Sequence, residues 1–150
     1  IVDSCKIIAH LLNMTLLHAT CAALRGRGVL LKGPSGSGKS DLCLRLIHNG
    51  WRLVADDQVC LTSSNSHLIG QPPMPLRGLI EVRGVGILNI AYAISAPIFL
   101  VVKLVSIDAV ERIPEDTAWC FKSHNIPMVQ IDPFEISAVE KISIALQESY

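Results

Sequence analysis

An excess of charge of either sign is missing from this sequence. Thirteen lysine and arginine residues balance thirteen aspartates and glutamates, so the formal net charge of the 150 residues is zero at pH 7. A protein that binds nucleic acid electrostatically needs a basic face, and this composition does not predict one. Half of the residues are hydrophobic and only 17% are charged, which excludes a disordered chain. We therefore expect one globular domain spanning residues 1–150 and no nucleic-acid partner.

Long apolar runs and a cysteine framework are also missing. The best candidate run, residues 98–105, is interrupted by Lys103 and follows Pro97, so it predicts a buried strand rather than a membrane span. The cysteines are odd in number and lack a C-x-x-C pair, which predicts reduced thiols. They are Cys5, Cys21, Cys43, Cys60 and Cys120. Without a recognisable signal peptide, these absences predict a soluble cytoplasmic protein with no membrane partner.

A glycine-rich motif, G-x-x-x-x-G-K-[S/T], is what the sequence does contain. The short apolar segment 29–31 before it predicts a buried strand, and the segment after it predicts a helix that ends at Gly50. Such a strand, loop and helix surround phosphates with backbone N–H groups, while the lysine contacts terminal phosphates and the last serine ligates Mg²⁺. The alternative is a glycine-rich turn that binds nothing. The motif consists of Gly33, Pro34, Ser35, Gly36, Ser37, Gly38, Lys39 and Ser40.

Two adjacent carboxylates, Asp56 and Asp57, follow a second predicted strand at residues 51–55. Ionising both is unfavourable unless a metal or cations offset their charge. In phosphate-loop proteins an acidic residue at a strand end commonly holds Mg²⁺, directly or through water. A second carboxylate there could accept a proton from an incoming hydroxyl. The alternative is a solvated turn or a helix cap.

Three further polar residues are candidates for the same site. Glu81 and Arg83 flank Val82, so on a strand both side chains point to one face. They form either a plain salt bridge or a site in which the glutamate binds metal and the arginine binds phosphate oxygens. His18 lies in a predicted strand, residues 16–24, that pairs with the strand leading into the phosphate loop. A lone histidine in an apolar strand is usually a satisfied core group.

More strands and one more helix are predicted along the rest of the chain. Residues 59–61 and 67–69 flank a turn of serines and asparagine, which predicts a hairpin. Residues 79–88 mix apolar residues with glycines and charges, which predicts an irregular strand or loop near the site. The remaining elements are a central strand at 96–105, a short strand at 128–131 and a closing helix at 138–148. Because helices and strands alternate, the fold class is α/β.

Together these motifs resemble one family, the HPr kinase/phosphorylase group of bacterial phosphotransferase-system regulators. The likeness runs from about Leu16 to Arg112, and the phosphate loop within it is shared by a vast class of proteins. The Leu-Val-Ala-Asp-Asp-Gln-Val run at 53–59 and the Ile-Glu-Val-Arg-Gly-Val-Gly-Ile run at 80–87 are much more selective. The resemblance implies a P-loop-containing mixed sheet flanked by helices, similar in architecture to phosphoenolpyruvate carboxykinase.

The resemblance also implies a reaction and a first set of roles. Such a kinase moves the γ-phosphoryl group of ATP to a serine of the small carrier protein HPr. Lys39 and the surrounding loop would hold the phosphates of ATP, and Ser40 would bind Mg²⁺. Asp57 would accept the proton of the substrate serine, and Glu81 would be a second metal ligand. These parts match phosphoryl transfer, which needs positioning and charge neutralisation more than covalent chemistry.

Five other predictions complete the site and the assembly. His18 and Arg112 fall on positions that the family uses at its active site. Arg83 lies within the glycine-rich signature, and we infer for it a contact with phosphate. Asp56 is assigned to the metal. Since the family assembles as hexamers, the resemblance implies a homo-oligomer.

The chain departs from the longer family members in two ways. Those members carry an N-terminal domain before the phosphate-loop domain, so this chain resembles a short form that contains the catalytic domain only. They also have a Pro-Gly-Arg loop tied to the reverse, phosphorylase reaction, where this chain has residues 129–135 of different sequence. The kinase reaction is therefore favoured over the reverse one. Two alternatives stay open: a P-loop kinase of a small metabolite, and a nucleotide-binding sensor without turnover.

Overall fold

The computed structural model describes residues 13–149, so Cys5 lies outside the described residues. Within them the chain forms eleven strands, two α-helices and two short 3₁₀ helices. The helices are α1 (Lys39–Ile47), α2 (Ala138–Gln147) and the 3₁₀ turns Met74–Leu76 and Ile107–Ala109. The strands are β1 (Met14–Leu17), β2 (Thr20–Leu24), β3 (Arg27–Lys32), β4 (Arg52–Ala55), β5 (Val59–Ser63), β6 (Leu68–Gln71), β7 (Leu79–Val82), β8 (Gly86–Asn89), β9 (Ala96–Leu104), β10 (Thr117–Phe121) and β11 (His124–Ile131).

Nine of these strands form one mixed sheet, which confirms the predicted α/β fold. Its order is β1-β5-β6-β9-β3-β2-β4, with β11 also paired to β9 and β10 paired to β11. The central strand β9 runs parallel to β3 and to β11, so all three strands end at the same edge of the sheet. Lys32 of β3 and Gln130 of β11 both lie opposite Lys103 of β9. The loops that follow β3 and β11 therefore leave the sheet at the same level.

Apolar side chains fill both faces of this sheet. Neighbouring residues of one strand belong to different core clusters: Leu30 and Val101 lie in one, Leu31 and Leu100 in the other. This alternation follows the period of two along a strand. A central strand covered on both faces is expected to be continuously apolar, as β9 is from Ala96 to Val102.

The two helices cover the face that carries Leu31 and Leu100. The predicted helix after the phosphate loop is confirmed as α1, which buries Leu42, Cys43 and Leu46. It ends before Gly50, whose φ of 91° is the left-handed conformation expected at this position. The closing helix is confirmed as α2, whose buried residues are Ala138, Val139, Ile142 and Leu146.

The described cysteines are free thiols, as predicted. Cys21 and Cys43 are fully buried in the two core clusters. Burial raises the pKa of the Cys21 thiol to about 12, and burial also raises the pKa of Cys43. Both therefore stay protonated and act as small apolar residues.

The predicted single strand at residues 16–24 is wrong. The chain bends at His18 and Ala19, which separate β1 from β2. β1 pairs with β5, whereas β2 pairs with β3 and β4, so the bend lets consecutive residues join two distant parts of the sheet. His18 thus lies between two strands rather than on the strand beside β3.

Two further regions are more regular than their sequences predict. Residues 79–88, predicted to be an irregular strand or loop, form the antiparallel hairpin β7–β8. The predicted strand at 128–131 begins at His124 and pairs with β10, which was missed. The aromatic and β-branched residues of Thr117–Phe121 are the signal that could have found it. No helix within residues 13–149 is long and apolar enough to span a membrane.

Candidate active site

The phosphate loop connects β3 to α1 in the predicted order of strand, loop and helix. A cavity of about 610 Å³ opens above it and is lined from the loop by Ser35, Gly36, Gly38, Lys39 and Ser40. Such a volume is typical of pockets for small ligands. Gly38 has a φ of 96°, which other residues rarely adopt, and its carbonyl oxygen accepts the N–H of Leu42 in the first turn of the helix. The geometry fits an anion at the helix N-terminus.

Lys39 lies folded back over its own loop. Its Nζ donates to the carbonyl oxygens of Gly33 at 2.7 Å and Pro34 at 2.9 Å. Burial lowers the pKa of the Lys39 ammonium, while the nearby carboxylates of Asp57 and Asp56 act in the opposite direction. The Lys39 ammonium is therefore bound to two neutral carbonyl oxygens of its own loop. A charged phosphate oxygen can replace them, because it forms a stronger hydrogen bond with an ammonium group.

Asp56 joins three segments of the chain through its two carboxylate oxygens. Oδ1 accepts hydrogen bonds from Ser40 Oγ at 2.6 Å and from Thr20 Oγ1 at 3.3 Å. Oδ2 accepts the backbone N–H of Glu81 at 3.0 Å. Asp56 thereby fixes the hydroxyl of Ser40 at the end of the phosphate loop.

The side-chain oxygen atoms at the end of the phosphate loop are suitable ligands for Mg²⁺. No group of three His, Cys, Asp or Glu side chains within residues 13–149 is arranged to hold a metal alone. Mg²⁺ beside phosphates needs only one or two protein oxygens, because phosphates and waters complete its octahedron. Ser40 and Glu81 line the same cavity, and Asp56 already accepts the Ser40 hydroxyl. Ser40 and Glu81 would thus hold the ion, with Asp56 acting through Ser40 or a water.

Asp57 lines the same cavity, and His18 contacts it from the bend between β1 and β2. The distance from His18 Nε2 to Asp57 Oδ1 is 2.6 Å, and both side chains are about half exposed. Asp57 has a φ of 65°, a left-handed conformation that aspartate tolerates better than most residues. The interpretation of His18 as a buried core group is wrong, since its ring is 48% exposed and paired with a carboxylate.

Thr20 is a site residue that the sequence analysis missed. Its side chain is fully buried, donates to Asp56 Oδ1 and accepts the backbone N–H of Asp57 at 3.1 Å. One hydroxyl therefore contacts both the carboxylate of Asp56 and the backbone of Asp57. The available signal was a lone hydroxyl in the apolar strand β2, two residues after His18.

Glu81 and Arg83 both line the cavity, although only Glu81 lies on β7 and Arg83 belongs to the turn that follows it. No ion pair joins these two side chains in the described part of the chain, so the plain salt bridge is not formed. The positive charge of Arg83 thus faces the same space as Lys39.

The family model for the HPr serine kinase C-terminal domain matches residues 9–137. The chain belongs to this family. The predicted resemblance is thereby confirmed. The match contains every residue predicted for the site, from His18 to Arg112.

A curated relative and a solved structure from the HPr kinase family are similar to this chain. The HPr kinase/phosphorylase of Mycoplasma mycoides subsp. mycoides SC is 40% identical over 111 residues, which is 66% of this chain and 36% of that protein. The chain thus spans about a third of the length of this curated relative. The Hpr(Ser) kinase/phosphatase from Coxiella burnetii superposes with a TM-score of 0.75 at 25% identity, covering 91% of this chain and 94% of that one.

His18 and Arg112 were predicted from the HPr kinase family, and neither side chain lines the cavity itself. His18 contacts Asp57, which does. Arg112 is exposed in the segment after Ile107–Ala109, outside the cavity lining. Asp41, Leu44 and Phe134 line the cavity although no motif predicted them. Asp41 and Leu44 follow the phosphate loop on α1, whereas Phe134 comes from a distant loop that only the folded chain brings close.

Proposed function

We propose that residues 1–150 are a single catalytic domain that transfers the γ-phosphoryl group of ATP to a serine of an HPr-like phosphocarrier protein in the cytoplasm. The observation that carries the proposal is the shared cavity of Lys39, Ser40 and Asp57, in which His18 holds the Asp57 carboxylate at 2.6 Å. A phosphate cradle alone indicates a nucleotide. A carboxylate beside it adds a proton acceptor for an incoming hydroxyl.

ATP would bind with its phosphates over residues 35–40. The loop N–H groups and the N-terminus of α1 contact the phosphate oxygens, and Lys39 exchanges its bonds to Gly33 and Pro34 for the terminal phosphates. Bound Mg²⁺ would neutralise charge on these phosphates. Arg83 adds a second cation to the same cavity.

The substrate serine would approach Asp57. Its Oγ forms a bond to the γ-phosphorus while the bond from that phosphorus to the bridging oxygen breaks and ADP leaves. The hydroxyl proton passes to the Asp57 carboxylate. His18 keeps that carboxylate oriented through Oδ1, and Thr20 holds the backbone N–H of Asp57.

Incubation of the protein with γ-labelled ATP, Mg²⁺ and HPr tests the proposal. We expect label on a serine of HPr. ATP consumption with a small alcohol or acid, and no labelled protein, would instead indicate a metabolite kinase. Binding of ATP without transfer to either acceptor would indicate a sensor. Both of these results overturn the proposal.

A further inference from the structure

An exposed aromatic ring stands beside the phosphate loop. The ring of Phe134 is 72% exposed, although the preceding Pro133 is buried. A single exposed apolar residue is normal on a protein surface, but an aromatic ring in the lining of a cavity offers a contact surface to a ligand that enters it. Among residues 13–149, Phe134 is the only aromatic residue in the lining of this cavity.

The loop that carries this ring is anchored on both sides of it. The backbone N–H of Phe134 donates to Asp132 Oδ1 at 2.9 Å. Arg45 donates through Nη1 to the carbonyl oxygen of Pro133 at 2.5 Å and through Nη2 to that of Glu135 at 3.1 Å. Because Arg45 belongs to α1, the ring is tied to the helix that the phosphate loop starts. Its exposure therefore does not come from a loose loop.

Gly38 of the phosphate loop lies against the ring of Phe134. A Cβ on Gly38 would lie 3.3 Å from Cζ of Phe134 and 3.3 Å from Cγ of Pro133. The edge of the ring thus touches the phosphate loop, while most of its surface stays open. Leu44, one turn beyond Ser40 on α1, lines the same cavity.

The expected orientation of the bound triphosphate, with its γ-phosphate at Asp57, places the base near the ring of Phe134. The γ-phosphate must face Asp57 for transfer, so the nucleoside extends from the opposite end of the phosphate chain. The N–H groups that begin α1 take the phosphates nearest the nucleoside. The rest of the cavity lining includes Asp41, Leu44 and Phe134. Phe134 follows β11 and Asp57 follows β4, and these strands lie on opposite sides of β3 in the sheet order.

We propose that Phe134 is the stacking surface for the purine base of the nucleotide, with Leu44 as an apolar contact beside it. The inference rests on the proposed function, since it concerns the same bound ATP. Stacking on an aromatic ring strengthens binding of a base but does not read its hydrogen-bonding edge. GTP is therefore expected to gain from Phe134 about as much as ATP.

Inorganic tripolyphosphate is the probe that isolates the base, because it carries the same phosphates without a nucleoside. We expect Phe134→Ala to weaken binding of Mg-ATP roughly tenfold and to leave binding of Mg-tripolyphosphate within about twofold. Phe134→Trp should retain ATP affinity, and its added tryptophan fluorescence should change with ATP but not with tripolyphosphate. Isothermal titration calorimetry gives the affinities.

Ile136→Ala is the matched control, since Ile136 is 96% exposed two residues away and lies outside the cavity lining. Unchanged ATP affinity in Phe134→Ala overturns the proposal, as does an equal loss for ATP and tripolyphosphate, which would indicate a disturbed loop. An increase only in the KM for HPr would assign the ring to the protein substrate and also overturn it. If the wild type binds ATP through Phe134 but labels no serine, the stacking surface stands and the kinase proposal fails.

Discussion

Asp57 combines three features in one residue: a left-handed backbone, a hydrogen bond to His18 and a place in the cavity with Lys39. A non-glycine residue in this conformation is held there by its surroundings and is common at functional sites. Thr20 accepts the Asp57 N–H, which is one such restraint. The carboxylate is thus oriented from both its backbone and its side chain.

Replacing Asp57 by Asn removes the proton acceptor while preserving its shape. We expect the Asp57→Asn variant to lose phosphoryl transfer by at least about a hundredfold in kcat and to bind ATP as the wild type does. Phosphoserine formation gives the rate, and calorimetry gives the affinity. Asp108→Asn, an exposed carboxylate in the 3₁₀ turn Ile107–Ala109, is the control. Full transfer by Asp57→Asn would contradict the assigned role.

His18 acts on the reaction through Asp57, so its loss should be milder. We expect His18→Ala to lower kcat roughly tenfold because the carboxylate loses its orientation, with ATP affinity unchanged. His18→Asn, which keeps a donor, should recover part of the rate. His48→Ala, an exposed histidine at the end of α1, serves as the comparison. A loss as large as that of Asp57→Asn would show that His18 does more than position its partner.

Among the elements, β2 carries the hydroxyl that links β4 to the site. Thr20 is buried in β2, and its two hydrogen bonds reach the Asp56 carboxylate and the Asp57 backbone just after β4. A buried group that loses its partner costs more free energy than the hydrogen bond contributes net. An apolar residue of equal size at position 20 of β2 would therefore be unfavourable, because it would remove both hydrogen bonds of the Thr20 hydroxyl.

Thr20→Val tests this position. We expect it to lower the free energy of unfolding by about 1–3 kcal/mol and to reduce transfer, since both aspartates lose a restraint. Urea denaturation measures the first effect and the HPr assay the second. Thr20→Ser keeps the hydroxyl and should retain transfer. If the valine variant equals the wild type in both measurements, the hydroxyl has no structural role.

The helix α2 offers a matched pair of substitutions for the core. Ile142 is fully buried and Ile144 is 60% exposed on the same helix. We expect Ile142→Ala to lower the free energy of unfolding by about 2–5 kcal/mol, through lost burial and a residual cavity. Ile144→Ala should change it by less than about 0.5 kcal/mol. Equal losses in denaturant titrations would show that α2 does not pack as described.

At the scale of the whole molecule, local signals predicted the phosphate loop well because a strand, a loop and a helix follow one another in the chain. The role of Asp56 was harder, since its donors Ser40, Thr20 and Glu81 come from distant segments. The bend at His18 could not be predicted because apolar residues continue on both sides of it. Phe134 was missed for a similar reason, since its contact with Gly38 depends on folding.

The register of β9 has a consequence for this distant contact. Lys32 of β3 and Gln130 of β11 both lie opposite Lys103 of β9. The phosphate loop starts one residue after Lys32, and the loop that carries Phe134 starts two residues after Gln130. The strand β9 thus sets the offset between the part of the cavity that would hold phosphate and the part that would hold the base. Deleting a single residue from β11 would shift Phe134 by about 3.3 Å along the sheet. That shift would move Phe134 away from the phosphate loop, although no residue of the cavity lining itself would be changed.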